Sequence, residues 1–223
     1  MKKIMFSDKF LLTKSVLDGR KTQTRRIITP QPTYKDNCGI CWKGYAYGLN
    51  PVDFNEPFGS YMNFVSGTEY DKSCRRYRKG EVAAVAQSYC SIAEELENCK
   101  NATCAAHYEK NVQKDSEYIS WMEHPGFNNK MFVAADMMIH QIRITDVRIE
   151  KLQDISDDDC LKEGVIKWDA GQKDIPFFCY PNSAKCDYDT PQEAFAHLIN
   201  KVSRKDVWQE NPYVFVYDFE LVK

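Results

Sequence analysis

Residues 139–164 read IHQIRITDVRIEKLQDISDDDCLKEG, and the spacing of their apolar side chains decides which fold the chain can adopt. Ile142 and Ile144 share one parity while Val147 and Ile149 share the other, so a single long strand must change phase near Thr145-Asp146. A bulge or bend there is a device of sheets that curl into barrels. Directly behind the strand, Ile155-Ser156-Asp157-Asp158-Asp159 carries a helix start, with Ser156 as N-cap, Asp159 at N3 and acidic side chains at the positive end of the dipole. This helix stops at Gly164.

The same kind of signal recurs on both sides. Thr190-Pro191-Gln192-Glu193 combines a cap, an N1 proline and an N3 glutamate, and Phe195, Leu198, Ile199 and Val202 then form one apolar stripe. From Tyr213 to Leu221 aromatic and aliphatic residues alternate with Val214, Val216, Asp218 and Glu220, which predicts a closing strand with one wholly apolar face. Upstream, Glu81–Ser88 reads as a strand buried on both faces, residues 91–112 as a helix, and 11–18 as a short helix ended by Gly19. Residues 33–79 lack periodicity and read as long loops and short strands. Short helices between curved strands predict an α+β fold on a small β-barrel: a single domain over 1–223, with insertions at about 33–79 and 89–135.

Composition narrows the classes. With 43% hydrophobic and 13% aromatic residues the chain is no disordered segment, and 30 Lys+Arg against 32 Asp+Glu leave a net charge of −2. That balance argues against sequence-blind binding of bulk nucleic acid, though not against a local basic patch. In the opening MKKIMFSDKFLL, Asp8 and Lys9 break the apolar run before a secretion signal forms. Nowhere do about 18 uncharged apolar residues follow one another, so the expectation is a soluble cytoplasmic protein with no membrane partner. Nine cysteines, an odd number, fit thiols kept reduced. Cys38-Gly39-Ile40-Cys41 is a lone C-x-x-C, and Cys99, Cys104 and His107 form a loose second cluster. Structural zinc requires four converging ligands and no second pair sits at standard spacing. Cys38 and Cys41 thus stand as zinc candidates against incidental burial, and the expectation is no metal and no cofactor.

Chemistry concentrates in two places. Glu163, in the last turn of its helix, faces the negative dipole end, which disfavours its ionised form and suits a proton donor; the alternative is an exposed carboxylate beside a C-cap glycine. Arg20, Lys21, Arg25 and Arg26 put four cations in seven residues. Crowding by the arginines lowers the Lys21 ammonium toward a usable base, or else the segment is a solvated basic loop. Thr24 shares a face with Lys21 in a helix or tight turn, but lies on the opposite face in a strand. Arg20, Arg25 and Arg26 are also candidate phosphate-binding residues.

Gly19-Arg20-Lys21-Thr22-Gln23-Thr24-Arg25-Arg26 resembles the G-x-K-x-x-x-x-R signature of the ASCH domain, a small β-barrel of the PUA-like superfamily associated with RNA. Arg78–Val82, Ile142–Arg148, Leu152–Ser156 and Lys162-Glu163-Gly164 are similar to that family's strand entry, central strand and helix, and Thr190–Ile199 with Asn211–Phe215 to the closing elements of longer phage- and prophage-type members. The segments cover somewhat under half of the chain. A bacterial branch of the superfamily hydrolyses N4-acetylcytidine to cytidine and acetate with a lysine as proton acceptor, a threonine as nucleophile and a glutamate as proton donor. The resemblance puts these roles on Lys21, Thr24 and Glu163, and implies nucleosides or RNA as partners. The rival expectation is a non-catalytic RNA-binding module, with the three arginines on phosphate and Trp42, Trp121 or Trp168 stacking a base.

Overall fold

A computed structural model describes residues 1–51, 54, 59–60, 77–98, 125–168, 176–184 and 186–222. In chain order the elements are β1 (Lys2–Ile4), α1 (Leu12–Leu17), β2 (Gln23–Ile27), β3 (Thr33–Lys35), β4 (Gly39–Trp42), β5 (Tyr45–Ala46), β6 (Gly59–Ser60), β7 (Val82–Val85) and α2 (Tyr89–Asn98). Two 3-10 turns precede β8 (Gln141–Lys151), followed by α3 (Asp157–Lys162), β9 (Ile166–Trp168), β10 (Phe177–Cys179), α4 (Pro191–Ser203), α5 (Val207–Glu210) and β11 (Tyr213–Val222). The fold class is α+β. The chain divides into two compact units, Met1–Ser7 with Val82–Arg143 and Leu221–Lys223, and Asp8–Glu81 with Ile144–Glu220.

In the first unit β1 pairs in parallel with β7, and β7 pairs antiparallel with the first residues of β8. Ala83, Ala84 and Val85 are fully buried, as a strand covered on both faces requires. Tyr89, Ile92, Val133, Met137 and Met138 complete this unit's core, and Lys3 Nζ ties it by donating to the carbonyls of Lys130, Met131 and Val133.

In the second unit β8 neighbours β11, and β11 pairs antiparallel with β2. Burial along β8 moves from Ile142 and Ile144 to Val147, which is the expected change of parity. Leu152, Ile155, Cys160, Phe195, Val207, Val214 and Val216 pack as one cluster under α3 and α4. Both helix starts form as their sequences require: Ser156 Oγ accepts from Asp159 N–H at 3.2 Å and Thr190 Oγ1 from Glu193 N–H at 3.2 Å. The region from 33 holds an antiparallel sheet β3-β4-β5-β6. Gly39 (φ +71°) allows it, because a Cβ there would run into the Gly48 carbonyl that accepts from Ile40 N–H.

The barrel is the part of the sequence reading that needs correction. The sheets are open; among the described residues none returns to pair with its own first strand. Strand β1 has three residues, and β2 ends at Ile27 ahead of Pro30-Gln31-Pro32, whose prolines offer no ladder donor. The expectation of reduced thiols also fails at one pair, since Cys179 and Cys186 form a disulfide. No helix among the described residues is long and apolar enough to cross a membrane.

Leu152 has no exposed surface in the second unit's core. Leu152→Ala should cost about 3 kcal/mol in urea unfolding, whereas Val202→Ser at the exposed edge of the α4 stripe should stay within about 0.5 kcal/mol.

Candidate functional site: a buried charge network on the second unit

The run after Gly19 is neither a helix nor a solvated loop. Arg20 and Lys21 N–H groups both donate to the Ser15 carbonyl at 2.9 Å, Thr22 N–H donates to the Lys162 carbonyl, and Phe219 N–H donates to the Thr22 carbonyl. These bonds thread residues 20–22 between the end of α1, the end of α3 and β11, and from Gln23 the chain is a strand. Side chains therefore alternate: Gln23 and Arg25 share the face of their β11 partners Asp218 and Val216, and Thr24 and Arg26 share the face of Tyr217 and Phe215.

Lys21 and Glu163, 142 residues apart, meet below the surface. Lys21 Nζ donates to Glu163 Oε2 at 2.6 Å, to the Glu163 carbonyl at 2.7 Å and to the Gln23 carbonyl at 2.7 Å, so all three ammonium donors are engaged. Their side chains are 2% and 6% exposed, which makes this a buried pair and not a surface contact. Gly164 (φ +104°) ends α3 beside them, and the Lys21 stem lies 3.7 Å from where a Cβ at Gly164 would sit. Burial pushes the Lys21 ammonium below its ordinary value; the Glu163 carboxylate opposes that shift, and Arg26 and Arg25 add to it.

Arg25 extends the network. Its Nη1 donates to Gln23 Oε1 and to Glu163 Oε1 at 3.4 Å, and its Nη2 to Glu150 Oε2 at 3.0 Å and Asp159 Oδ2 at 3.2 Å. Arg148 joins from β8 through Asp159 (2.7 Å), Glu150 and Asp218, while Lys162 holds Asp159 Oδ1 at 3.0 Å. Gln23 Nε2 donates to Asp218 Oδ1 at 2.6 Å. Four cations thus face four carboxylates. Burial alone would raise the Asp159 carboxyl, but hydrogen bonds from Lys162 and Arg25 and the charges of Arg25 and Arg148 outweigh it and hold the group below its ordinary value. The Cys160 thiol, under the same helix, is pushed up to about 12, mainly by burial, and stays protonated.

Compared with family models, with curated proteins and with solved structures, the chain gives no match. The function therefore rests on these side chains. The structure brings Lys21 and Glu163 together and sets Thr24, buried, on the other face of β2 from Gln23 and Arg25, in an aromatic layer where Tyr217 meets Tyr77 at 5.4 Å and Phe215 at 5.9 Å. Arg25 is committed to carboxylates and Arg20 to Asp18 at 2.9 Å on the surface, whereas Arg26 is half-buried. Trp42 is buried, stacked on Phe54 at 4.5 Å with Nε1 donating to the Pro30 carbonyl; Trp168 is exposed, and Trp121 lies outside the described residues. Cys38 and Cys41 bring their sulfurs to 2.9 Å, and burial raises the Cys41 thiol to about 11. No group of three or more metal-ligating side chains gathers among the described residues, and Cys99, Cys104 and His107 lie outside them. Sequence reasoning missed Gln23, Arg148, Glu150, Asp159 and Asp218 as partners. The available signal was the i, i+2 spacing of opposite charges at Arg148 and Glu150 on one strand face.

Removing one member of the Lys21–Glu163 pair strands the other, so Lys21→Met and Glu163→Gln should each cost about 3–5 kcal/mol, and the double variant clearly less than their sum. Urea titration of the four proteins measures this. The stabilising contribution of Asp159, whose folded value is depressed, is complete above its ordinary 3.8 and fades as the pH falls through the lower folded value. Asp159→Asn should therefore be less stable than wild type at pH 6, and the gap should close on acidification below 3.8.

Proposed function

We propose that this chain is a nucleoside- or RNA-interacting protein of the ASCH, PUA-like kind, and that its Lys21–Glu163 centre removes the acetyl group from N4-acetylcytidine. The observation that carries the reading is the 2.6 Å contact between Lys21 Nζ and Glu163 Oε2, made by two buried groups from distant segments. It is the pairing that an acid–base exchange across an amide needs. Burial of Lys21 favours the neutral amine, so a proton passing along this contact converts the ion pair into an amine and a carboxylic acid.

From that state the reaction balances. Thr24 Oγ attacks the acetyl carbonyl while Lys21 Nζ accepts the hydroxyl proton, and Glu163 donates its proton to N4, so that cytidine leaves as the amine and the acetyl group remains as a threonine ester. Water then adds its hydroxyl to the acetyl carbon and gives one proton to Thr24 Oγ; acetic acid leaves and loses its proton to solvent, and Lys21 and Glu163, ammonium and carboxylate since the first half, stand again as the resting ion pair.

A second reading, a binding module without turnover, is favoured by two observations: the alternation of β2 turns Thr24 away from the face of Gln23 and Arg25, and all three Lys21 donors are engaged by Gln23 and Glu163. Incubation with N4-acetylcytidine and chromatography for cytidine separates the two. The amidohydrolase predicts turnover that falls at least about a hundred-fold in Thr24→Ala. Absence of cytidine, together with RNA binding that weakens with salt, selects the module.

A further inference from the structure

A groove of about 430 Å³ opens on the second unit, lined by Lys9, Phe10, Tyr180, Asn182, Tyr188 and Lys201, and it shares no residue with the charge network. Its volume falls within the roughly 300–1,000 Å³ of small-molecule sites. Lys9 and Lys201 are exposed, their ammonium groups each 5.6 Å from a ring centroid, Phe10 for the first and Tyr180 for the second. Phe10 meets Tyr180 edge-on at 6.1 Å, Tyr188 lies 6.2 Å from Tyr180, and Tyr188 is half-buried. With Asp187 the lining carries two cations and one anion, a net charge of +1.

The wall of this groove is tied down at several points. Phe178 and Tyr188 exchange backbone hydrogen bonds of 2.9 and 3.3 Å, Cys179 and Cys186 are disulfide-bonded, and Asn182 Nδ2 donates to the Lys9 carbonyl at 2.9 Å. These ties fix the backbone that carries Tyr180 and Tyr188 and join it to the backbone at Lys9, and a wall ordered in advance saves a ligand the cost of ordering it. The charge of Lys201 is already felt inside the groove: burial would raise the Tyr180 phenol, but Lys201 and Ser183 outweigh it and hold the phenol below its ordinary value.

We infer that this groove binds a nucleoside phosphate, with the phosphate between Lys9 and Lys201 and the base against Tyr188. An aromatic surface beside two cations answers to a flat ring bearing a phosphate; a bare anion would leave the rings unused, and an unphosphorylated nucleoside would leave the lysines unused. The phosphate belongs either to a free nucleotide or to the end of an RNA strand.

Calorimetric titration of the oxidised full chain with AMP, CMP, cytidine and inorganic phosphate tests this. Both nucleotides should bind below 1 mM (about −4 kcal/mol or tighter), while cytidine and phosphate bind more weakly. Lys9→Ala/Lys201→Ala should lose about ten-fold or more in AMP affinity with an unchanged melting temperature. Cys179→Ser/Cys186→Ser, which unties the wall, should also weaken AMP. A 5′-phosphorylated trinucleotide binding more tightly than AMP assigns the phosphate to an RNA end, and the reverse assigns it to a free nucleotide; both uphold the site. CMP binding no better than cytidine, or an AMP affinity unchanged in the lysine variant, overturns it. Acetylcytidine turnover is read separately, so either reading can fail without the other.

Discussion

An ammonium and a carboxylate sealed under the surface of one unit set the terms for everything around them. Lys21 and Glu163 would each be costly to bury alone. Lys21 is held by two backbone carbonyls in addition to the carboxylate, and Glu163 by Arg25 in addition to the lysine. Those contacts demand that residues 20–22 be threaded between α1, α3 and β11, and that α3 stop at Gly164. The network then spreads to Asp159, Glu150, Arg148 and Asp218, where side chains reach solvent. Its charges balance, and it pins α3, β2, β8 and β11 in one arrangement.

The two faces of β2 serve different ends. One carries Gln23 and Arg25 into the charge network, and the other carries Thr24 and Arg26 toward the aromatic layer of Phe215 and Tyr217. Lys21 precedes the strand and is not bound by its alternation; its ammonium is held by the Gln23 carbonyl and by the carbonyl and carboxylate of Glu163.

The local signals that were legible are those whose cause is local. Ser156 and Thr190 cap the helices that their positions announce, β11 forms as the closing strand although both of its faces are buried from Val214 to Tyr217, and β8 changes parity between Ile144 and Val147. Glu163 was visible at a helix end. What a short window could not supply was the destination of Arg25, which depends on carboxylates from β8 and α3 more than a hundred residues on. A basic run reads as a phosphate grip, but in the folded chain Arg20 pairs with Asp18 two residues before it and Arg25 is spent inside. The change of parity in β8 was readable from its phase, but that phase does not report closure, and the sheet is open.

The most direct measurement is an NMR spectrum of lysine side-chain ammonium groups on 15Nζ-labelled protein, with and without N4-acetylcytidine. One ammonium resonance should be protected from solvent exchange, be missing in Lys21→Met, and shift on adding the nucleoside. A spectrum with no protected ammonium, or one whose protected signal ignores the nucleoside, would contradict a Lys21–Glu163 centre.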